Sequence, residues 1–324
     1  MTPVVHVLPE VAKALNGGGP VVLLETAVLT CGLPRSSWRA EHGSRPEHLA
    51  ADQAVHLGTV RAMERVIRDA GAVPAASAIL HGAPHIGLSA EALDELAEDR
   101  TAAKASTATM AIAMARGMSA GTTVSGTLRL AAAMGQPAPR VFATGGIGGV
   151  HLGWPADVDV SADLGELARS RVCTVCAGPK SIIDAHATSQ ALESLGVPVL
   201  GLGVHQMPGF QSPPADDAPA VSRVDNVSRI AAIATAHWQL PAAGGMLVVQ
   251  PPPPAHSMDA SSLRTIAETA EAEVRATGPD RTPALLDAMA RLSGGDTLRC
   301  NVDLLVSNAR TAADIATALA QDHT

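Results

Sequence analysis

The chain has 324 residues, of which 47% are hydrophobic and 17% charged, and its formal net charge is −8. This length and apolar content allow a sizeable folded core and exclude intrinsic disorder. The negative charge, without any run of five or six like charges, argues against a surface that binds nucleic acid. No long apolar window and no secretory leader are visible, so we expect a cytoplasmic protein with no membrane partner.

The basic residues are divided very unevenly between the two types. Of 23 Lys and Arg residues, only Lys13, Lys104 and Lys180 are lysines. Arginine serves wherever a generic positive charge is enough, so a remaining lysine becomes a candidate for chemistry that a guanidinium cannot perform. Lys13 lies in a helix-like stretch near the N-terminus and is given no role.

Short apolar runs alternate with longer Ala-rich stretches, which is typical of an α/β fold with a largely parallel or mixed sheet. Strands are predicted at 21–24, 75–80, 140–143, 172–177, 197–204 and 245–250. Helices are predicted at 50–70, 89–98, 107–117, within 121–134, and at 181–195, 227–239, 261–277, 283–292 and beyond 295. The remaining segments include a charged loop at 36–54 and a surface loop rich in Pro and Gly at 207–219. Without an internal repeat or a linker, residues 1–324 are expected to form one α/β/α layered domain.

Two residues that follow predicted strands are candidates for catalysis. Glu25 ends the first strand, where active sites of α/β proteins form, and partial burial would raise its pKa toward use as an acid. Lys180 follows the strand at 172–177 and is expected to open a helix. Desolvation and the positive end of the helix dipole would favour the neutral amine, which can attack a sugar carbon to form a Schiff base. A purely structural carboxylate and a lysine that extends to solvent are the alternatives.

An acidic segment at 157–163 alternates Asp or Ser with small apolar residues. In an extended strand, Asp157, Asp159, Ser161 and Asp163 would share one face. Their oxygen atoms would suit Mg²⁺ or Mn²⁺ rather than zinc, with water in the remaining positions. A solvated edge strand explains the same pattern without a metal.

Three further patterns carry weaker signals. The glycine cluster 145–149 could cradle a phosphate, but it matches neither GxGxxG nor the P-loop, and a tight turn beside the core is favoured. Cys173 and Cys176 form a CxxC within an apolar run and are predicted to be buried strand residues rather than a redox or zinc pair. Four histidines in loop-like positions fit no metal-binding spacing and are given no role: His81, His85, His151 and His205.

Taken together, motifs along nearly the whole chain resemble the pseudouridine-5′-phosphate glycosidase family. The most specific are TGGIGGVH at 144–151, SADL at 161–164 and CAGPKSI at 176–182. The resemblance implies reversible cleavage of the C-glycosidic bond of pseudouridine 5′-phosphate, giving uracil and ribose 5-phosphate. It also implies a homotrimeric α/β/α enzyme of the lyase or glycosidase class that uses one Mn²⁺ per subunit, with Mg²⁺ or another divalent cation as the alternative.

The resemblance also assigns roles to matching positions. Lys180 corresponds to the nucleophile that forms a Schiff base with C1′ of the opened ribose, Glu25 to the proton donor and Asp159 to the metal ligand. A C–C glycosidic bond has no leaving oxygen to protonate, so ring opening and an iminium electron sink make its cleavage feasible. Positions that contact the substrate or belong to the site are matched by Lys104, Val124, Thr144, Ser161, Ala162, Asp163 and Asn301.

The chain departs from the family pattern around the phosphate and the base. Residues 105–109 lack two arginines and an acid, Leu152 and Cys31 replace an arginine and a histidine, and 35–48 is a charged insertion. These changes keep a second function open, a C-glycosynthase that joins ribose 5-phosphate to a non-uracil ring in C-nucleoside biosynthesis. A third hypothesis, a sugar-phosphate-binding protein without catalysis, is disfavoured because the catalytic positions are all present.

Overall fold

The computed structural model describes residues 5–152, 159–275 and 281–321. Within these residues, one sheet contains eleven strands. The strands are β1 His6–Val7, β2 Val21–Leu24, β3 Val73–Leu80, β4 Ala83–Ile86, β5 Ala103–Ala105, β6 Ala120–Thr122, β7 Val141–Ala143, β8 Cys173–Cys176, β9 Val199–Leu202, β10 Ser222–Val224 and β11 Met246–Val249.

Eleven α-helices accompany the sheet in the described part of the chain. They are α1 Pro9–Asn16, α2 Val55–Asp69, α3 Ala90–Glu98, α4 Met110–Ala115, α5 Val124–Ala133, α6 Ala162–Arg169, α7 Ala185–Ser194, α8 Val227–Gln239, α9 Ala260–Glu273, α10 Arg281–Leu292 and α11 Asp296–Gln321. Two shorter turns of helix occupy Val28–Gly32 and Ala40–His42. None of the described helices combines the length and apolarity needed to cross a bilayer.

The strand order places the ends of three central strands side by side. The order is β1-β4-β3-β2-β7-β8-β11-β9-β10, with β6 paired to β3 and β5 paired to β6. All neighbours from β3 through β2 to β10 are parallel, whereas β3 pairs antiparallel with β4 and β6. This confirms the predicted largely parallel sheet. The segments that follow β2, β7 and β8 therefore leave the same edge of the sheet, where ligands bind in open α/β folds.

The core lies on both faces of the sheet, as the α/β/α prediction requires. Along β2, Val22 and Leu24 join the cluster of α2, α8 and α11, whereas Val21 and Leu23 join the cluster of α1, α5 and α6. This alternation follows from the period of two in a strand. Burying a leucine such as Leu23 completely stabilises the fold by about 1.5–3 kcal/mol.

The central strands and most of the helices appear where the sequence predicts them, but one loop and one helix start differ from the prediction. Segment 207–219 is a surface loop only in part, since Phe210 and Gln211 are each 1% exposed, whereas Pro213, Asp216 and Asp217 are exposed. Its prolines and glycines do form turns, and these turns fold the apolar residues inward. The helix expected from 181 begins only at Ala185, because the side chain of Asp184 accepts a hydrogen bond from the N–H of Ala187 (2.9 Å) and caps it.

Candidate active site

Three polar side chains converge where β2, β7 and β8 end. Glu25 directly follows β2, Thr144 directly follows β7, and Lys180 lies four residues after β8. The strands are adjacent and parallel, and Leu24 pairs with Ala143, which in turn pairs with Val175. The register alone therefore brings these segments together at one edge of the sheet.

Glu25 is buried and holds a direct hydrogen bond from the Thr144 hydroxyl to its Oε1 atom. Burial raises the pKa of this carboxyl above its ordinary value, while the charge on Lys180 and the Thr144 hydrogen bond oppose the rise. The predicted burial of a strand-end acid is thus confirmed. A carboxyl with a raised pKa retains its proton to a higher pH than an ordinary one and can act as a general acid.

Lys180 lies in a tight turn, and the next helix begins only at Ala185. The prediction that Lys180 opens a helix, whose dipole would act on its amine, is therefore wrong. The backbone N–H of Lys180 donates to the carbonyl of Ile147 (3.0 Å), so the turn is held against the glycine cluster. Gly178 has a φ of 95°, and a Cβ atom there would lie 2.4 Å from the carbonyl oxygen of Pro208. Only glycine fits this position, and it directs the half-buried Lys180 toward Glu25.

Lys104 is the second amine of the site and lies on β5. Burial lowers its pKa, and the positive charge on Lys180 lowers it further. Two lysines and one buried carboxylic acid thus share a small volume, and the shifted pKa values of Glu25 and Lys104 are typical of active sites.

Glu25, Lys104 and Lys180 stand at the junction of two cavities. The first, the hydroxyl-lined cavity, has a volume of about 270 Å³, and its walls include Ser106, Thr109, Thr123, Ser125, Ser161 and Asp163. The second, the apolar cavity, is lined on its other sides mainly by Ala27, Val28, Cys31, Phe210, Leu286, Asn301 and Leu305. One cavity offers hydroxyl groups and the other offers apolar walls, with the amines and the acid between them.

The predicted site residues fall on these two cavities. Asn301 lines the apolar cavity, and Thr144 stands behind Glu25 without lining either cavity. Those in the hydroxyl-lined cavity, besides the two lysines and Glu25, are Val124, Asp159, Ser161, Ala162 and Asp163. The structure therefore brings together residues that are up to 276 positions apart in sequence, from Glu25 to Asn301.

Asp163 organises the wall of the hydroxyl-lined cavity. Its carboxylate accepts hydrogen bonds from the N–H groups of Ser125 (3.0 Å) and Gly148 (2.9 Å). Ser161 caps α6 through its hydroxyl, so the extended strand considered for this segment does not continue through Asp163. Asp157 lies outside the described residues. A capping serine favours a helix from Ala162 onward.

The glycine cluster lies beside the core but does not form the tight turn favoured from the sequence, since none of its glycines has a positive φ and Ile147 forms a parallel bridge with Pro179. A Cβ atom at Gly146 would lie 2.6 Å from Phe210, and one at Gly149 would lie 2.2 Å from the hydroxyl of Thr188. The N–H group of Gly148 is already used by Asp163. The cluster is therefore needed for close packing, which leaves the hydroxyl-lined cavity as the polar surface for a ligand.

Comparisons with known proteins identify the family of the chain. The family model described as indigoidine synthase A like protein matches residues 10–318. A protein of Nocardioides sp. named pseudouridine-5′-phosphate glycosidase is 41% identical over 97% of this chain and 96% of its own length. A protein of Myxococcus xanthus with the same name is 41% identical over 96% of this chain and 97% of its own length.

The chain belongs to the family of this model, the indigoidine synthase A-like proteins, together with the relatives named pseudouridine-5′-phosphate glycosidase. Two solved structures share its fold at 31% identity, each over 99% of this chain and 98% of its own. One is the prealnumycin C-glycosynthase AlnA in complex with ribulose 5-phosphate, with a TM-score of 0.84. The other is an indigoidine synthase A-like protein from Thermotoga maritima, with a TM-score of 0.83. The resemblance read from the motifs is thereby confirmed, and so is the α/β fold.

Three residues that were given no role from the sequence line the site in the structure. Cys31 and Phe210 line the apolar cavity, and His151 lines the hydroxyl-lined cavity. Phe210 is one of only two phenylalanines in the chain. That scarcity was the available signal, because an aromatic residue kept in such a composition has a packing or binding role.

A divalent cation, which the family resemblance implies, would be held by Asp159. This carboxylate lies at the rim of the hydroxyl-lined cavity, with Oδ2 3.9 Å from Nε2 of His151 and 3.6 Å from Nη1 of Arg281. No group of three or more His, Cys, Asp or Glu in the described ranges is arranged to hold a metal ion. One exposed carboxylate with water in the other positions fits Mn²⁺ or Mg²⁺ and does not fit zinc.

Proposed function

We propose that the protein cleaves the C-glycosidic bond of pseudouridine 5′-phosphate reversibly, consuming water and giving uracil and ribose 5-phosphate. The observation that carries this proposal is the junction of the two cavities. A buried acid, Glu25, and an amine, Lys180, face each other where a hydroxyl-lined space meets an apolar one. The names of the relatives at 41% identity support the same reaction.

The first half of the reaction opens the sugar ring. The amine of Lys180 attacks C1′, the C1′–O4′ bond breaks, and O4′ takes the proton of the Glu25 carboxylic acid. The nitrogen then loses one proton and becomes a secondary amine. Burial raises the pKa of Glu25, which favours the protonated form that this step needs.

The second half breaks the carbon–carbon bond. C5 of the base takes up the proton that the nitrogen lost, the C1′–C5 bond pair returns to the base, and the nitrogen lone pair forms an iminium with C1′. Water then adds to the iminium, which releases ribose 5-phosphate and the Lys180 amine and returns a proton to the Glu25 carboxylate. The nitrogen lone pair drives the cleavage, and the protonated base receives the electron pair of the broken bond.

The hydroxyl-lined cavity binds the sugar phosphate in this proposal. Ser106, Thr109 and Thr123 offer hydroxyl groups, and Lys104 supplies a positive charge at the inner end of the cavity. Asp163 fixes the wall by holding two backbone amides. Among the described residues that line the cavity, the lysines provide the only primary amines, and the two arginines of the family pattern have no counterpart at 105–109.

Three features complete the proposal by extension from the family. Asp159 would hold Mn²⁺, or Mg²⁺, whose charge would balance the phosphate group. The assembly would be a homotrimer and the location cytoplasmic. Light scattering of the purified protein tests the trimer, and metal analysis of wild type against Asp159→Asn tests the ion.

A second candidate function is the joining of ribose 5-phosphate to another ring. The likeness to AlnA, a C-glycosynthase at 31% identity, favours it, and the thiol of Cys31 in the apolar cavity changes the surface that meets the ring. The same iminium forms in cleavage and in synthesis of the C-glycosidic bond. The two functions therefore differ in the ring that enters the apolar cavity, not in the chemistry at Lys180.

Trapping of the Schiff base tests the proposed function. The protein is incubated with ribose 5-phosphate and Mn²⁺, reduced with borohydride and mapped by mass spectrometry. We expect a ribitol 5-phosphate adduct on Lys180 and none in Lys180→Arg. A matched variant, Lys13→Arg, changes a lysine on α1 and should keep the adduct. Formation of pseudouridine 5′-phosphate from uracil then separates the first function from the second, and absence of the adduct in wild type would refute both.

A further inference from the structure

We infer that the ring half of the substrate enters and leaves through its own channel, separate from the opening used by the sugar phosphate. The ring can therefore exchange while the sugar remains bound to Lys180. This inference rests on the proposed function. The inference follows from a third cavity that adjoins the apolar cavity and reaches the exposed side of α10.

The third cavity, which we call the ring channel, has a volume of about 240 Å³. It shares Cys31, Gly32, Pro283, Leu286 and Asn301 with the apolar cavity, so the two spaces adjoin. Asp287, an exposed residue of α10, also lines it. Its remaining walls are Leu33, Pro34, Gln211, Ala290, Thr297 and Leu298. In this inference the two adjoining spaces form the path from the surface at α10 to Glu25 and Lys180.

The hydroxyl-lined cavity opens elsewhere. Its lining shares no residue with the ring channel. Its rim carries Asp159, whose side chain is 43% exposed. A phosphate group is strongly hydrated and suits the polar rim, whereas a planar ring suits apolar walls. The two halves of the substrate are therefore separated by the chemistry of the two openings.

The wall between the channel and the lysine is held rigidly. The amide of Gln211 donates to the carbonyl of Thr297 (2.8 Å) and accepts from the hydroxyl of Ser181 (3.2 Å), the residue after Lys180. The N–H of Phe210 donates to the carbonyl of Ala177 (3.0 Å). Phe210 has a φ of 67°, a left-handed conformation that non-glycine residues rarely adopt and that is found at functional sites.

The two openings have a chemical consequence. After the first ring departs, the sugar remains as an iminium on Lys180, held through its phosphate in the hydroxyl-lined cavity. An incoming uracil can bond through C5 to C1′, the C=N pair returning to nitrogen and the C5 proton passing to that nitrogen. O4′ then attacks C1′, the C1′–N bond breaks to release the neutral Lys180 amine, and the O4′ proton goes to the Glu25 carboxylate. Exchange therefore needs no release of ribose 5-phosphate.

An exchange experiment tests the channel. The holoenzyme is incubated with pseudouridine 5′-phosphate and labelled uracil, and incorporation of label is compared with release of ribose 5-phosphate. Wild type should incorporate label faster than it releases the sugar. Asp287→Trp, which narrows the outer end of the channel, should slow incorporation by about tenfold, because it obstructs only the ring. Ala290→Leu adds bulk deeper in the channel and should act in the same direction.

A matched control and a second readout make the outcomes distinct. Arg291→Trp introduces the same side chain one turn further along α10, at an exposed residue that does not line the channel, and should leave exchange unchanged. The borohydride adduct formed with ribose 5-phosphate alone should persist in all three variants. If Asp287→Trp and Ala290→Leu both form the adduct and both exchange uracil as fast as wild type, the channel is overturned and the proposed function stands. Wild type without an adduct would overturn the proposed function, and the channel with it.

Discussion

The hydroxyl of Thr144 donates a hydrogen bond to Oε1 of Glu25 across the boundary between two neighbouring parallel strands. This contact holds the acid at the junction of the two cavities. It also tunes the acid, because a hydrogen bond to the carboxylate lowers the pKa of Glu25, whereas burial raises it. Thr144 thus positions the proton donor and limits how far its pKa rises.

Glu25→Gln should separate ring opening from Schiff-base formation. The amide keeps the shape of the side chain but cannot supply a proton, so we expect cleavage of pseudouridine 5′-phosphate to slow by about 10²–10⁴-fold. Ribose 5-phosphate already reaches an open aldehyde form in solution, so its borohydride adduct on Lys180 should remain. Steady-state kinetics and mass spectrometry measure the two effects. Equal loss of both would show instead that Glu25 is needed to bind the sugar.

Thr144→Val should move the pH dependence of cleavage. Activity requires protonated Glu25, so it is present below the folded-state pKa and is lost as the pH rises through that value. Removal of the hydroxyl donor raises the pKa of Glu25, and the basic limb of the kcat profile should shift to higher pH. A limb that stays in place would exclude Glu25 as the titrating group.

Thr174→Val provides the matched control for this shift. Thr174 lies buried on β8, and its hydroxyl has no hydrogen-bond partner among the described residues. We expect an unchanged pH profile, because this hydroxyl does not contact Glu25. Its removal should also increase the free energy of unfolding by about 1 kcal/mol, since a buried unsatisfied polar group is lost. Denaturant unfolding measures this gain.

The outline of the site could be predicted from sequence because strand ends are local signals. Glu25 and Lys180 follow apolar runs that are readable in isolation, and adjacent parallel strands carry them to one edge of the sheet. Phe210 could not be placed in this way, since its Pro- and Gly-rich surroundings predict turns and do not show which side faces the core. Strands of two or three residues, such as β1 and β5, are too short to show a period. Asp163 owes its role to contacts with Ser125 and Gly148, which only the folded chain brings together.

Gly146→Ala should damage the wall of the apolar cavity. The added Cβ would lie 2.6 Å from Cδ2 of Phe210 and 2.9 Å from the carbonyl oxygen of Gly178. We expect a loss of about 1–3 kcal/mol in the free energy of unfolding, because a packed aromatic ring and a turn must shift. Gly17→Ala is the control, since its Cβ would meet nothing closer than 3.4 Å.

A double variant identifies the clash that matters at Gly146. If the ring of Phe210 is the main obstacle, adding Phe210→Leu to Gly146→Ala should cost less than the sum of the two single changes. Thermal and urea unfolding of the four proteins gives the coupling. Strict additivity would assign the loss to the contact with the Gly178 carbonyl instead.

Cys31 should be the first thiol to react with an alkylating reagent in the folded protein. Cys173, Cys176 and Cys300 are buried, and burial raises the pKa of each to about 12. Cys31 is only partly buried; although burial raises its pKa too, the positive charge on Lys104 favours its thiolate.

Brief treatment with iodoacetamide should therefore add one carbamidomethyl group, at Cys31, and Cys31→Ser should remove it. Since Cys31 lines the apolar cavity and the ring channel, uracil should slow the labelling, whereas inorganic phosphate should not. Peptide mapping by mass spectrometry gives both the position and the rate. Labelling at Cys173 or Cys176 before Cys31, or equal protection by phosphate and uracil, would contradict the placement of Cys31 on the ring side of Lys180.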